Sequence, residues 1–567
     1  MGFPSEPMYA LPMSYTCREC GQGYEVTDTE RAFQKEMGVP APRSCPACRL
    51  MRRMNERNAR KLYWRTCDAT SKRILSQYHS DHTFPVYSPE AWWGDTWDGL
   101  DYGQDIDFGK PFFPQFQALK NRVPHQARFV IGSTMENSEY TNCAGFMKNC
   151  YLCFEADYNE DCEYSNRIYH CKDMVDCSNC YESEVCYESV DCVAGNRLFY
   201  SQDCQNCSES LFLKNCIGCS DCIGCINQRQ KKYMILNEQL TKEEYEKRAS
   251  SLELNTVEGR EAFRKQCTAF FLTQPQKAVQ AERNENCVGD HLFDSKNSTD
   301  CLDCKDLEDC MHCAKVAMGV KACVDYTSWG DKAERLYQCA ACGNNAFNLM
   351  FCTTCTTNNS DLAYCDGCTG CGNCFGCVGL KKKQNCILNR QYTKKHYEEL
   401  VPQLIHVMRK HGEYGEFFPK DVCPYGYNET IAMEYFPLTK AEAVKRGYKW
   451  RDEREEKPDV PKVIPAAQLP SAVTDVPDDV LNWAITSEET GRPFRITKQE
   501  LLFYRANDIP LPRFHPEERH EQRLLLRPPR KLWERNCAKC GKNIPSTYAP
   551  ERPEIMFCEE CYLAAVY

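Results

Sequence analysis

The residues with the most chemistry to offer are cysteines set in knuckles. Cys17-x-x-Cys20 and Cys45-x-x-Cys48 stand near one end of the chain, and Cys537-x-x-Cys540 and Cys558-x-x-Cys561 near the other. Two such pairs brought together offer four thiolates, the donor set of tetrahedral zinc. Four thiolates leave no position for water or substrate, so each set reads as a structural Zn2+ site, two in all, and not a catalytic one. The sequence has no P-loop, dinucleotide fingerprint, Gly-x-Ser-x-Gly elbow or His-Glu-x-x-His. His79 and His82 flank Asp81 and read as a solvated loop. The chain is therefore expected not to be an enzyme.

The elements that must position these thiols are duplicated. Residues near 15–92 match residues near 485–562 at a constant offset of 470, without a gap. Thr27 falls on Thr497, Glu30 on Glu500, Phe33 on Phe503, Pro40 on Pro510 and Arg43 on Arg513. The ligands are divided between the copies: Ser487, Thr490, His515 and Glu518 replace the first cysteine set, and Cys67, Thr70, Ser88 and Ala91 occupy the places of the second. The ancestral unit thus reads as a two-zinc module from which each descendant kept one site.

The run Tyr15-x-Cys17-x-x-Cys20-Gly21, Glu30-x-x-Phe33, Pro40-x-Pro42-x-x-Cys45-Pro46-x-Cys48-Arg49 resembles a zinc-ribbon or treble-clef domain of uncharacterised bacterial proteins. Residues from Phe494 to Tyr567 look like a partner module of that family. The resemblance covers roughly a quarter of the chain and implies structural zinc without implying an activity.

Beyond Cys48 the residues Arg49, Arg53, Arg57, Arg60 and Lys61 follow helical spacing, and the second copy repeats them as Arg519, Arg523, Arg527, Arg530 and Lys531. A helix carrying that ridge can lie on phosphates. The net charge of −10 hides two basic stretches, Arg43–Arg73 with ten basic against two acidic residues and Arg513–Asn543 with nine against four. RNA or ribosome binding through the ridges is the leading expectation. The competing one is a protein-interaction scaffold whose ridges dock onto its own acidic body. Metal storage or thiol redox chemistry is a third.

Between Cys150 and Cys225 fourteen cysteines share one residue phase modulo three, alongside serines, Ile168, Met174, Leu198 and Leu213. One residue in three therefore points inward, a period that fits neither a helix nor a flat strand but does fit a coil of short sides. Cys216, Cys219, Cys222 and Cys225 recur at offset 152 as Cys368, Cys371, Cys374 and Cys377, and Ile235-Leu236-Asn237 recurs as Ile387-Leu388-Asn389. The fold expected is mainly β: a cysteine-rich parallel β-solenoid in two repeated halves with helical appendages, flanked by two duplicated zinc-ribbon/treble-clef modules. Repeats after 18 residues suggest a three-sided coil of that length, and the appended helices are expected to cap its last turn. A rival reading gathers the central thiols around several metal ions.

The boundaries that follow are a zinc module at 14–93, a connector at 94–135, a solenoid half at 136–236 and a helical appendage at 237–283. A second half at 284–388, an appendage at 389–415, a connector and linker at 416–480 and the second zinc module at 481–567 complete the chain. Met1 to Tyr15 has neither a basic n-region nor an apolar run, and no stretch is apolar enough to span a bilayer, so no membrane association is expected. Of the 567 residues 42 are cysteine, which in a reducing compartment serve as metal ligands or buried filler, and a cytoplasmic location is expected.

Overall fold

The computed structural model describes residues 13–567 apart from 316–319, 322–324, 326, 328–335 and 453–458. Parts of the Met1 to Tyr15 segment, of the second solenoid half at 284–388 and of the connector and linker at 416–480 lie outside the described residues. The chain forms two compact units, and its order crosses between them: residues up to Ala127 associate with Val279–Arg451, and Arg128–Ala278 with Asp452–Tyr567. Each unit thus joins one terminal module to the solenoid half more distant from it in sequence.

Both halves are parallel β-solenoids. In the first, Asn166 pairs with Ser178, and Glu184 with Asn196, then Ser208, Ser220 and Lys232. The turn is therefore twelve residues, not the eighteen expected. Both lengths preserve a three-residue phase, so cysteine spacing alone does not choose between them; the main-chain ladder does. In the second half the step is thirteen residues from Phe347 to Ser360 and twelve from Ser360 to Gly372 and Gln384.

The three-residue phase has a backbone cause. Within Phe154–Ser165, Glu155, Tyr158, Asp161 and Tyr164 all have φ between 52° and 59°. Four left-handed residues per twelve turn the chain four times, so the coil has four short sides instead of three. Left-handed φ costs an ordinary L-residue about 1–2 kcal/mol and is best tolerated by Gly, Asn and Asp. This phase accordingly carries Asn149, Asp161, Asp173, Asp176, Asn179, Asp191, Asp203, Asn206 and Asn215.

The residue after each left-handed corner points into a narrow interior. Cys153, Cys162, Cys177, Cys180, Cys186 and Cys192 are fully buried there. The Cys153 thiol lies 3.7 Å from the carbonyl oxygen of Tyr151 and 3.2 Å from that of Cys162, and it donates to both. Ser189 repeats the pattern, with Oγ 3.3 Å from the Tyr187 oxygen and 2.9 Å from the Leu198 oxygen. Cysteine and serine exchange on the lattice because each is small and reaches the same two carbonyls. Among the described residues no central thiols gather in fours; the only all-cysteine groups close enough to share an ion are the two terminal ones.

Outward-facing columns tie the coils to their neighbours. In the second unit Val175, Tyr187, Phe199, Leu211, Ile223 and Ile235 stack in register. Tyr164, Val175, Tyr187 and Phe199 pack against Leu501 and Tyr504 of the C-terminal module. Phe212, Ile223 and Ile235 pack against Tyr245, Phe263 and Cys267, which lie on helices Lys242–Ser250 and Val257–Leu272. The first of these helices opens with a capping box at Thr241 and Glu244. The open edge of the last coil is met by the antiparallel pair Glu238–Gln239, while the helices cover the lateral column. Asn237 closes the coil, its side chain bonding the amide and carbonyl of Ile226 at 2.9 and 3.0 Å.

In the first unit Asn389 bonds Val378 in the same way, at 2.8 Å to both groups. The tryptophan-rich segment after Ala91, which leads into the expected connector, fastens that end of the solenoid. Lys381 donates to the carbonyls of Trp92 and Gly94 and lies 4.6 Å from the Trp97 ring, and Asp98 pairs with Lys383 at 2.6 Å. Phe112 then packs on Tyr364 and Phe375, with ring centroids 5.6 and 5.5 Å away.

Interior size is the constraint to test. Replacing fully buried Cys192 by leucine is expected to destabilise by about 1–3 kcal/mol through overpacking. Cys192→Ser, which keeps the hydrogen bonds, is expected to cost less; the order of the two urea midpoints checks this.

Candidate metal centres

Both cysteine sets are built identically. Strands Met13–Thr16 and Gly23–Val26 form a hairpin whose turn holds Cys17 and Cys20, while Cys45 caps helix Pro46–Asn55 and Cys48 lies in its first turn. At the other end strands Trp533–Asn536 and Asn543–Ser546 carry Cys537 and Cys540, and Cys558 caps helix Glu559–Val566 with Cys561 one turn in. Gly21 and Gly541, at φ of 73° and 76°, close the two turns where a side chain would be strained. The helix amino termini point positive ends at the thiols, which favours thiolate.

The geometry fits a tetrahedral ion. In each set the four sulfurs lie within 4.8 Å of one another. The Cys20–Cys45 and Cys540–Cys558 separations are 3.8 and 3.7 Å. Zinc–sulfur bonds of about 2.3 Å set tetrahedrally give a sulfur–sulfur edge of about 3.8 Å. Hydrogen bonding from Cys48 lowers the Cys45 thiol to about 5. At Cys537 burial opposes ionisation, but the amides of Cys558 and Cys540 bring the thiol down to about 6. Both sets can therefore hold a metal ion, and each would saturate it with protein ligands.

The two positions that lost their cysteines keep the same backbone. The amide of the leading residue bonds five residues ahead in all four hairpins: Cys17 to Gln22, Cys67 to Lys72, Ser487 to Arg492 and Cys537 to Lys542, at 2.8–3.0 Å. At the degenerate C-terminal position the Ser487 and Thr490 hydroxyls both donate to the buried carboxylate of Glu518. At the degenerate N-terminal position the Ser88 amide donates to Cys67 Sγ at 3.2 Å, and Ser88 Oγ accepts from Ala91 at 3.2 Å. Hydrogen bonds thus span the gap that an ion could span in the other two.

The leading arginines of both basic ridges face the solenoid. Arg49, Arg53, Arg519 and Arg523 are each 1–3% exposed. Arg49 pairs with Asp325, and Arg53 lies 3.4 Å from the same carboxylate and 2.7 Å from Thr327 Oγ1. In the other unit Arg519 pairs with Asp176, Arg523 with its second oxygen at 2.7 Å, and Arg527 with Asp191 at 2.8 Å. Asp325, Asp176 and Asp191 all have left-handed backbones, and the first two are fully buried. Glu30 and Glu500, from the duplicated capping boxes, lie 3.9 and 3.3 Å from Arg49 and Arg519.

The remainder of each ridge is less enclosed. Arg57, Arg60, Lys61 and Arg530 are half-buried, and Arg60 approaches Glu434 at 3.7 Å. Lys531 is exposed, 5.1 Å from the Trp533 ring. The sequence located the arginines but not their partners, because helical spacing says which residues share a face and not what that face meets.

One acid beside this cluster is held by a hydroxyl. Glu163 on the solenoid lies 2.7 and 3.0 Å from the Thr497 hydroxyl. Burial, reinforced by the negative charge of Glu500, pushes Glu163 up to about 8.

No family model matches the chain, and no curated protein matches it. Two solved chains do. One, described as a "putative acetyltransferase" from Desulfovibrio desulfuricans G20, shows 10% identity over 56% of this chain and 90% of that one, with a TM-score of 0.09. A score that low carries no argument. No helix among the described residues is long and apolar enough to cross a membrane.

Two outcomes follow. Asp176→Ala strands two buried guanidinium groups and is expected to cost about 3–5 kcal/mol, read as a lower urea midpoint and faster proteolysis of the C-terminal module. For Glu163 the folded value lies above the ordinary carboxylate range. Its contribution is therefore full at low pH and lost as pH rises through about 8. Glu163→Gln should match the parent near about pH 5 and unfold at a higher temperature than the parent near about pH 9.

Proposed function

We propose that this chain is a non-enzymatic, zinc-stapled scaffold for protein interactions in a reducing, cytoplasmic compartment. The observation that carries the reading is the inward turn of both arginine ridges onto solenoid aspartates. A guanidinium buried against a carboxylate of its own chain has spent its charge before any phosphate arrives. The expectation of RNA or ribosome binding loses its carrier for that reason, and the competing expectation, ridges docked on the protein's own acidic coils, gains one.

Zinc is the ion favoured at both cysteine sets, because four sulfur donors in tetrahedral array suit it and leave no open position for chemistry. The ions act as staples: each locks a hairpin to the helix that presents the arginines. The solenoid thiols support the reducing compartment, since the described cysteines are thiols and those of the interior are packed as filler. That packing also weighs against metal storage, which needs accessible thiolates in groups.

Elemental analysis of the full chain is expected to give two zinc per molecule, falling to one in Cys20→Ser and one in Cys540→Ser. Many more than two would favour the storage reading. In a salt titration against mixed RNA no binding is expected even at about 50 mM salt; affinity that falls steeply with rising salt would overturn the scaffold reading.

A further inference from the structure

The offset of 470 places Asn55, Glu56 and Arg57 of the first module on Leu525, Leu526 and Arg527 of the second. In the first unit this helix end is covered by the chain itself. Cys423 Sγ donates to the carbonyl of Asn55 at 3.0 Å, and the Ile431 amide to that of Arg57 at 3.0 Å. Arg52 donates to the carbonyls of Phe417 and Phe418 at 2.9 and 2.6 Å. Glu434 approaches Arg60 at 3.7 Å, and the short helix Ile431–Tyr435 packs on helix Pro46–Asn55. Asn55 and Glu56 are 3% and 9% exposed as a result.

The second unit shows the reverse. There the two polar residues have become leucines, yet Leu525 is 81% and Leu526 47% exposed. Gln522, at the position of Arg52, is exposed as well. Apolar residues stand where the described residues give no comparable cover; Gln202 donates to the Leu526 carbonyl at 3.0 Å, and both leucine side chains face outward. The flank is basic: from Leu525 to Trp533 the sequence has Arg527, Arg530 and Lys531 and no acid; Arg527 is already paired with Asp191 at 2.8 Å, and Lys531 is the exposed cation.

We propose that the Leu525–Leu526 end of helix Pro516–Leu526 docks a short acidic and apolar segment of a partner protein, seated as Phe417–Tyr435 seats itself in the first unit. The leucines take the apolar side of that segment, and exposed Lys531 takes an acid. This rests on the scaffold reading and supplies its interaction surface.

The probe is a labelled synthetic peptide with the sequence of residues 417–435, added to the full-length, zinc-replete protein under reducing conditions. Saturable binding is expected, weakened about tenfold or more by the double variant Leu525→Asp/Leu526→Asp. Glu434→Lys in the peptide should weaken it too, and so should added salt. Both leucines are exposed, so the variant is expected to keep its zinc and its melting temperature; Lys531→Glu serves as a second variant that leaves the helix apolar face intact. Absence of binding, or binding indifferent to the leucine substitutions, overturns the proposal. Leucine-dependent self-association without peptide binding would assign the face to a second copy and overturns it equally. A chain that fails here while holding two zinc and ignoring RNA loses this docking surface and keeps the scaffold reading.

Discussion

A left-handed residue at every third position governs this molecule. It bends the chain four times in twelve residues, which brings the walls of the coil so close that only small side chains fit between them. Cysteine meets the requirement with apolar volume and a thiol that reaches two carbonyls, and serine meets it with less volume and a stronger donor. The same corner selects what faces outward just before it: Asn, Asp and Gly bear positive φ best, so the corners bristle with short acids. The acidity of the body and the sulfur of its interior are thus two results of one backbone habit.

Those corner acids then decide where the terminal modules sit. Asp325 and Asp176 leave their coils fully buried because each meets two arginines from one turn of a module helix. Ion pairs of this kind contribute little net stability against an apolar alternative, but removing one partner is costly. They therefore act as registration devices, admitting a module only in the position where charge meets charge. The stabilising area comes from the outward columns, such as Tyr187 and Phe199 against Tyr504 and Leu501. The arrangement is the same in both units even though the chain visits the four parts in crossed order.

The modules illustrate two solutions to one mechanical problem, the locking of a hairpin to a helix. Four thiolates can do it through an ion, with apparent binding energies of about 10–16 kcal/mol for structural zinc in small domains. Hydrogen bonds between Ser487, Thr490 and Glu518 do it without one. The metal-free version suffices where the helix is also held by buried arginines and a solenoid face, as helix Pro516–Leu526 is through Arg519 and Arg523. Redundant fastening of this sort lets a ligand set decay while the backbone survives.

Much of this was legible in the amino-acid sequence, wherever a local rule forces a residue type. Four cysteines in paired knuckles specified each candidate metal centre, and the offset of 470 announced the duplication. The phase of three identified an inward-facing lattice, and Thr241 with Glu244 marked a helix start. The turn length, the number of corners and the partners of the arginines were settled by the folded chain alone. Register depends on which strand lies beside which, and a three-residue phase is preserved by twelve and by eighteen alike. Whether Arg49 and Arg519 face solvent or a carboxylate depends on Asp325 and Asp176, each more than 270 residues away along the chain. Sequence fixes what each residue can tolerate within a few bonds of itself, whereas the meeting of distant charges is decided by packing.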